Sequence, residues 1–362
     1  MVSSIETQLI TDRHEFASHF PVPADIEALY AVEGKKAFAD AFIAVRDQVE
    51  DAFYAQADQT TRPSERTKKF LGAMVNPVIG KPMRDVEHFY QTFGRLMRWA
   101  WLSISVGLYD ESIQRIEEVG ERLIVAQVNN VDINWRPAVS HITQNLGGRG
   151  LIVEVGTGRG NSLIRLATML PQTRIVSLTI SPEQHAIVSE IVKRMGLTNV
   201  EVRLGDLFDP TMTEDLVGQA DAAGAIEVVL HFPPDRKLAG MQMLTRLLKH
   251  GSPLCIVDSA IANPMGAFAE RYYANQSIYF GLREQYFALF ENADLTPVAY
   301  VDYTPDMNQA FKESSVVLRR FREALARDFG WLMGRLWPEV PGRLYIKTLK
   351  NVRYVHAVGV KR

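Results

Sequence analysis

The stretch "EVGTGRGNS", residues 154–162, decides the fold. Gly156, Gly158 and Gly160 follow the apolar run "GLIVEVG" and open a helical segment. Glycines there let the backbone turn sharply and come close to a ligand that faces the helix N-terminus. A strand, a glycine turn and a helix in that order place the ligand at the carboxyl ends of parallel strands. The dinucleotide fingerprint needs its third glycine one position later, where Asn161 stands, and a phosphate-cradling loop needs a Gly-Lys-Ser/Thr ending that is absent. Glu154 beside the turn would repel a pyrophosphate but suits a cationic amino-acid moiety. A nucleotide-binding unit also carries an Asp or Glu about 20 residues further on to hold ribose hydroxyls. Here "RIVSLTISPEQ", residues 174–184, supplies Thr179 instead.

Outward from the turn, "RIVSLTI", "VEVRLGD", "AAGAIEVV" and "PLCIVD" are short continuous apolar runs separated by helical segments. Parallel strands covered on both faces read this way. The pattern predicts a Rossmann-like, doubly wound α/β domain starting near residue 140. "PVAYVDYT" and "RYVHAVGVKR" add two strands, the last of them antiparallel at or near a sheet edge, with a helical insertion over about 307–350 between them. Upstream, Phe38, Phe42, Val45, Val49 and Phe53 recur at helical spacing and predict a helix over about 24–54. The polar stretch "AQADQTTRPSERTKK" then reads as a solvated linker. Val86, Phe89, Tyr90, Phe93 and Met97 form a second helical face, and a third helix is expected over about 111–129. The expected division is an N-terminal helical cap over 1–135 and a ligand-binding domain over 136–362.

Composition limits the partners. The chain has 362 residues, 47% of them apolar and 23% charged, with a formal net charge of −2. It can bury a large core, and it offers no basic excess for a nucleic-acid backbone. The start, "MVSSIETQLITDRHEF", lacks a signal-peptide pattern, and no uncharged apolar run approaches the 18 or so residues of a membrane span. A cytoplasmic protein without stable membrane association is expected, with room left for a homo-oligomer. Cys255 is the sole cysteine and reads as a buried structural thiol.

The motifs carry a resemblance. "EVGTGRG" resembles the first motif of class I S-adenosylmethionine-dependent methyltransferases, and "GDLF" resembles the loop that brackets the adenine in that family. The resemblance implies Asp206 and Leu207 for adenine, and Glu154, Gly156, Gly158 and Gly160 for the methionine part. "LTISPEQ" is similar to an element of the cyclopropane fatty acid synthase-like branch, which includes prenyl diphosphate C-methyltransferases. There a Thr replaces the ribose-binding acid, which implies Thr179, Ser181 and Gln184 as cofactor contacts. Ser181 and Pro182 also read as a helix cap. "SISVGLYDESIQRIEEVG" resembles a segment whose serine contacts the cofactor, here Ser105, although Ile104 stands where a tyrosine is expected. "GAIEVVLHF" resembles the segment with an active-site glutamate, here Glu227. The resemblance covers roughly residues 101–258. Arg159, "GDL" and "KHGSP" depart from the pattern of the cyclopropane synthases and argue against a lipid cyclopropane synthase proper.

The branch implies methyl transfer to an alkene carbon of a prenyl diphosphate. Such attack generates a carbocation that must lose a proton, to Glu227 or, as second candidate, His231. A carbocation wants aromatic faces and a dry pocket, and "FAERYYANQSIYFGLREQYFALF" offers Tyr272, Tyr273, Tyr279 and Tyr286, with helix packing as the alternative use of those rings. Mg2+ could accompany a diphosphate, held by substrate and water because no Asp-rich motif is present. O- or N-methylation of a small hydrophobic natural product is the alternative, and a non-catalytic methyltransferase-like binding module a third reading.

Overall fold

A computed structural model describes residues 9–58, 61–75, 86–87, 94–95, 98–99, 106–339 and 350–362. Its N-terminal helices are α1 (Arg13–His19), α2 (Ala24–Tyr30), α3 (Val32–Asp58), α4 (Pro63–Val75), α5 (Glu111–Gln114) and α6 (Val119–Leu146). The alternating core follows as β1 (Gly150–Val155), α7 (Asn161–Met169), β2 (Thr173–Thr179), α8 (Pro182–Arg194), β3 (Val200–Leu204), β4 (Ala222–Ile226), α9 (Lys237–Leu247) and β5 (Pro253–Ile261). Then come α10 (Ala267–Ala274), β6 (Gly281–Leu282), α11 (Arg283–Asn292), β7 (Leu295–Asp302), α12 (Thr304–Arg320), α13 (Arg322–Phe329), α14 (Trp331–Leu336) and β8 (Val352–Lys361).

The strands form one sheet in the order β3-β2-β1-β4-β5-β8-β7, with short β6 paired to the end of β5. The pairs among β1 to β5 are all parallel. The final strand is antiparallel and near the sheet edge, as expected, lying second from it between β5 and β7. The edge strand β7 is covered in turn by Ile10, whose backbone bridges Val298 and Tyr300. Such cover removes an open row of hydrogen-bonding groups.

The expected division at 135/136 falls inside α6 rather than between elements. Residues on both sides of it, Val131, Trp135, Ala138, Val139 and Ile142, are buried in one cluster with β1, β2 and α7. Gly147, at φ 60°, ends the helix in the left-handed conformation that glycine tolerates. The N-terminal helices share the core of the sheet domain: Phe38, Phe42 and Val49 of α3 pack with Ile164, Ile187 and Ile191 of α7 and α8. The third predicted helix is two, α5 and the much longer α6. Most of the stretch read as a linker is helical, in α3 and α4. Of the second helical face only Val86 is described; Phe89, Tyr90, Phe93 and Met97 lie outside the described residues. Cys255 is buried and free in β5, and burial pushes its thiol up to about 12, so it is inert packing.

Candidate functional site

In the sheet β1 lies between β2 and β4, so the connections from β1 and β4 leave in opposite directions and open a crevice at the strands' carboxyl ends. The glycine turn closes one side of it. Gly156, Gly158 and Gly160 have φ of 89°, 53° and 86°, a region closed to most side chains. A Cβ on Gly156 would stand 2.4 Å from Val228 Cγ2, so this glycine also lets the loops after β1 and β4 meet. The crevice is a cavity of about 380 Å³.

Ten residues expected from the sequence line it: Glu154, Gly156, Gly158, Thr179, Gln184, Asp206, Leu207, Glu227, His231 and Tyr279. Gly160 stands behind the turn as the N-cap of α7, where a Cβ would meet Val188 at 2.8 Å. Ser181 is the N-cap of α8: its Oγ accepts from the Gln184 N–H at 3.3 Å, and it does not line the cavity. Ser105 lies outside the described residues. The aromatic segment departs furthest from expectation. Tyr286 is 1% exposed in the core beneath β5, its hydroxyl donating to Asp258 at 2.7 Å. Tyr272 and Tyr273 do not line the cavity; they pack edge-to-face on each other, and Tyr273 on Phe280. Of the four expected tyrosines only Tyr279, tied by its N–H to the Leu230 carbonyl at 2.7 Å, is delivered to the cavity.

The stretch after β2 is built from its own side chains. Thr179 Oγ1 donates to Gln184 Oε1 at 2.8 Å and accepts from the Ser181 N–H at 3.2 Å. With the Ser181 cap these bonds make a small rigid loop in which Thr179 and Gln184 face the cavity. Ser181→Ala is expected to cost about 1 kcal/mol of stability, the usual loss for a missing N-cap. Denaturant melts check this, and a fall in cofactor affinity exceeding the fall in stability would return Ser181 to the ligand side.

Burial dominates the electrostatics. Glu154 Oε2 accepts from Ser177 Oγ at 2.8 Å, yet burial pushes its carboxyl up to about 7, with the Ser162 and Ser177 hydroxyls pulling partly back. Glu227 follows β4 directly in the left-handed region at φ 55°, its N–H donating to the Val257 carbonyl at 2.7 Å. A non-glycine residue held there stores strain of the kind that collects at functional sites. Its Oε1 is buried without a hydrogen-bond partner. Burial pushes this carboxyl up to about 8, opposed by the Tyr354 hydroxyl and the Val106 N–H and assisted by Asp258. Asp258 itself is raised by burial to about 6. Burial drives His231 down to about 4, so its imidazole is neutral at physiological pH. Its Nδ1 lies 2.7 Å from the Ser277 carbonyl, which can only accept, so Nδ1 carries the proton and Nε2 the lone pair.

Three raised carboxyls make stability depend on pH. Each holds its proton more tightly in the folded chain, so the stability is present below the unfolded values near 4 and is lost as pH rises through about 6 to 8. The thermal midpoint of the ligand-free protein is expected to fall over this window. Calorimetry at several pH values checks it, and a midpoint rising across the window contradicts it.

Other residues at the site were not legible. Asn161, named in the sequence only as a missing glycine, lines the cavity with its buried Nδ2 unpartnered. Arg159 of the turn is buried against Glu50 of α3, and Glu50 also pairs with Arg98 at 3.3 Å. Phe208, Phe232 and Arg236 also line the cavity, with the Arg236 guanidinium 3.8 Å from the Phe208 ring centroid. No local pattern marks these pairs, because their partners are distant in the chain.

Comparison with known proteins agrees with this geometry. Residues 152–251 match the family model described as a methyltransferase domain. No curated protein matches the sequence. The fold is similar to the [4+2]-cyclase SpnF, at 18% identity and TM-score 0.62 over 78% of this chain and 98% of that one. It is similar to the cyclopropane synthase MmaA2 from Mycobacterium tuberculosis, at 12% identity and TM-score 0.59 over 81% and 98%. It is also similar to geranyl diphosphate C-methyltransferase from Streptomyces coelicolor A3(2), at 16% identity and TM-score 0.55 over 77% and 98%. Residues 152–251 thus carry a methyltransferase domain, in a fold similar to that of proteins solved with S-adenosylhomocysteine or S-adenosylmethionine.

The cavity fits that cofactor by its own chemistry. Asn161 Nδ2 is an unused donor beside the α7 N-terminus, where a carboxylate belongs, and Glu154 is a buried acid that a cationic amine would satisfy.

Proposed function

We propose that the protein C-methylates an alkene carbon of a prenyl (isoprenoid) diphosphate, with Glu227 accepting the proton that the methylated acceptor loses. The observation that carries this reading is Glu227: a buried carboxyl with an unpartnered Oε1, on strained backbone at the mouth of the crevice between β1 and β4. Bound S-adenosylmethionine supplies an electrophilic methyl group on a sulfonium. Glu154 and Asn161 would hold the methionine end, Thr179 and Gln184 the ribose, and Asp206 and Leu207 the adenine. On the acceptor a C–H bond breaks, its electron pair forms the new C=C bond, and the proton goes to Glu227 Oε1. A nearby positive charge lowers a carboxyl's pKa and so readies Glu227 as the base. The geranyl diphosphate C-methyltransferase of like fold was solved with Mg2+ and geranyl diphosphate. Among the described residues no group of three His, Cys, Asp or Glu is placed to hold a metal, so magnesium would be carried by the diphosphate and water.

A second reading rests on His231. The His231 imidazole lines the cavity, is kept neutral by burial and holds its Nδ1 proton toward Ser277, which suits a group that deprotonates a hydroxyl during O-methylation. One experiment tests both readings. The protein is incubated with methyl-labelled S-adenosylmethionine, magnesium and separate prenyl diphosphates of increasing length, and the dephosphorylated products are weighed. One extra labelled carbon on a single chain length supports the isoprenoid reading. Cofactor binding without label on any prenyl diphosphate removes it and turns the search to hydroxyl and amine acceptors.

A further inference from the structure

Glu154 stands near the end of β1 between two unlike neighbours. Register pairs it with Ser177 of β2 on one side and with Gly224 of β4 on the other. Residues paired across neighbouring strands share a face of the sheet, so the three lie side by side. Over Gly224 lies Trp135 of α6: a Cβ on this glycine would stand 2.5 Å from Trp135 Cη2, so the missing side chain makes room for the indole. Trp135 is fully buried, and its Nε1 donates to Ser162 Oγ at 2.7 Å. Glu154 is thus flanked by an aromatic wall beyond Gly224 and by a hydroxyl from Ser177.

A serine in the middle of the apolar run "RIVSLTI" needs a reason, because Ser177 is fully buried and an unpaired hydroxyl there is costly. It is paired twice. Ser177 Oγ lies 2.8 Å from Glu154 Oε2 and 2.8 Å from Thr157 Oγ1. Thr157 belongs to the glycine turn, lines the cavity and is tied down by its own N–H, which donates to the Leu178 carbonyl at 3.1 Å. An ionised carboxylate only accepts. Whenever Glu154 is charged, Ser177 therefore spends its one proton on Oε2, and Thr157 donates to Ser177. We propose that Ser177, held by Thr157, is a positioning residue for Glu154: it fixes one carboxylate oxygen and so leaves the other to meet the amine of bound S-adenosylmethionine. The amine as the partner of Glu154 rests on the proposed function; the row of hydroxyls does not. A carboxylate already fixed in a water-excluding wall loses little freedom when an ammonium arrives, and hydrogen bonds to it are stronger there than in water.

Two ligands that differ in the amino-acid arm separate positioning from packing. Calorimetry on the full chain compares S-adenosylhomocysteine, which carries the amine, with 5′-methylthioadenosine, which does not. Ser177→Ala is expected to weaken S-adenosylhomocysteine about tenfold, the lower end of what a hydrogen bond to a charged group contributes, and to leave 5′-methylthioadenosine unchanged. Thr157→Val, which keeps the shape and loses the hydroxyl, is expected to show a smaller loss of the same selectivity and to add little in the double variant, because it acts through Ser177. It also carries the test if Ser177→Ala does not fold. An equal loss for both ligands overturns the proposal. Glu154→Gln keeps the two readings apart. Selective loss in Glu154→Gln with wild-type affinity in Ser177→Ala overturns the positioning alone, and unchanged affinity in Glu154→Gln removes the amine reading and the proposal with it.

Discussion

Glu227→Gln is expected to bind S-adenosylmethionine as the wild-type protein does and to lose turnover about 10²- to 10⁴-fold, the range that a positioned proton acceptor contributes. The substitution keeps the shape and the strained backbone at φ 55° but replaces an oxygen that can take a proton with an amide that cannot. Loss should fall on kcat, because Glu154, Asn161 and the glycine turn, which would hold the cofactor, are untouched. Calorimetric binding of S-adenosylhomocysteine beside single-turnover methyl transfer separates the two effects. Wild-type turnover in the variant would remove Glu227 as the base and leave His231 as the candidate.

The second large effect lies at the junction of the helical cap and the glycine turn. Glu50 of α3 is 1% exposed and pairs with Arg159 of the turn and with Arg98, whose other partner, Asp51, lies at 2.7 Å. Removing one member of a buried ion cluster leaves uncompensated charge, which costs about 3–5 kcal/mol. Glu50→Ala is therefore expected to lower the thermal midpoint by several degrees. It is also expected to weaken cofactor binding, because Arg159 lines the cavity and would lose its anchor. The Tyr54 hydroxyl, which donates to Glu183 Oε1 at 2.8 Å, ties α3 to α8 independently, so the variant should still fold. Unchanged melting and unchanged cofactor affinity would show that the cluster contributes nothing to either.

How much of the site the sequence carried depends on how local each element is. The loops after β2 and β3 contain several of their own partners within a few residues, as in the Thr179–Ser181–Gln184 loop and the Asp206 carboxylate that accepts from the Phe208 N–H at 3.0 Å. Such loops are legible because their conformation is a local matter. The aromatic segment after β5 was not. Its tyrosines share composition and helical spacing, but which ring meets the cavity depends on how α10 and α11 sit on the sheet. Tyr286 went to the core with Asp258 and Tyr279 to the cavity.

Legible in contiguous residues were the parallel α/β class, the glycine turn, Thr179 where a nucleotide site carries an acid, and the candidacy of Glu227. Each is written in contiguous residues whose period, glycine content or motif is independent of the rest of the chain. The folded chain adds that α6 runs unbroken through the expected domain boundary and that Glu50 of α3 pairs with Arg159 of the turn. Burial explains the difference. The rise of Glu154 and Glu227 and the fall of His231 come first from excluding water, which only the folded chain does.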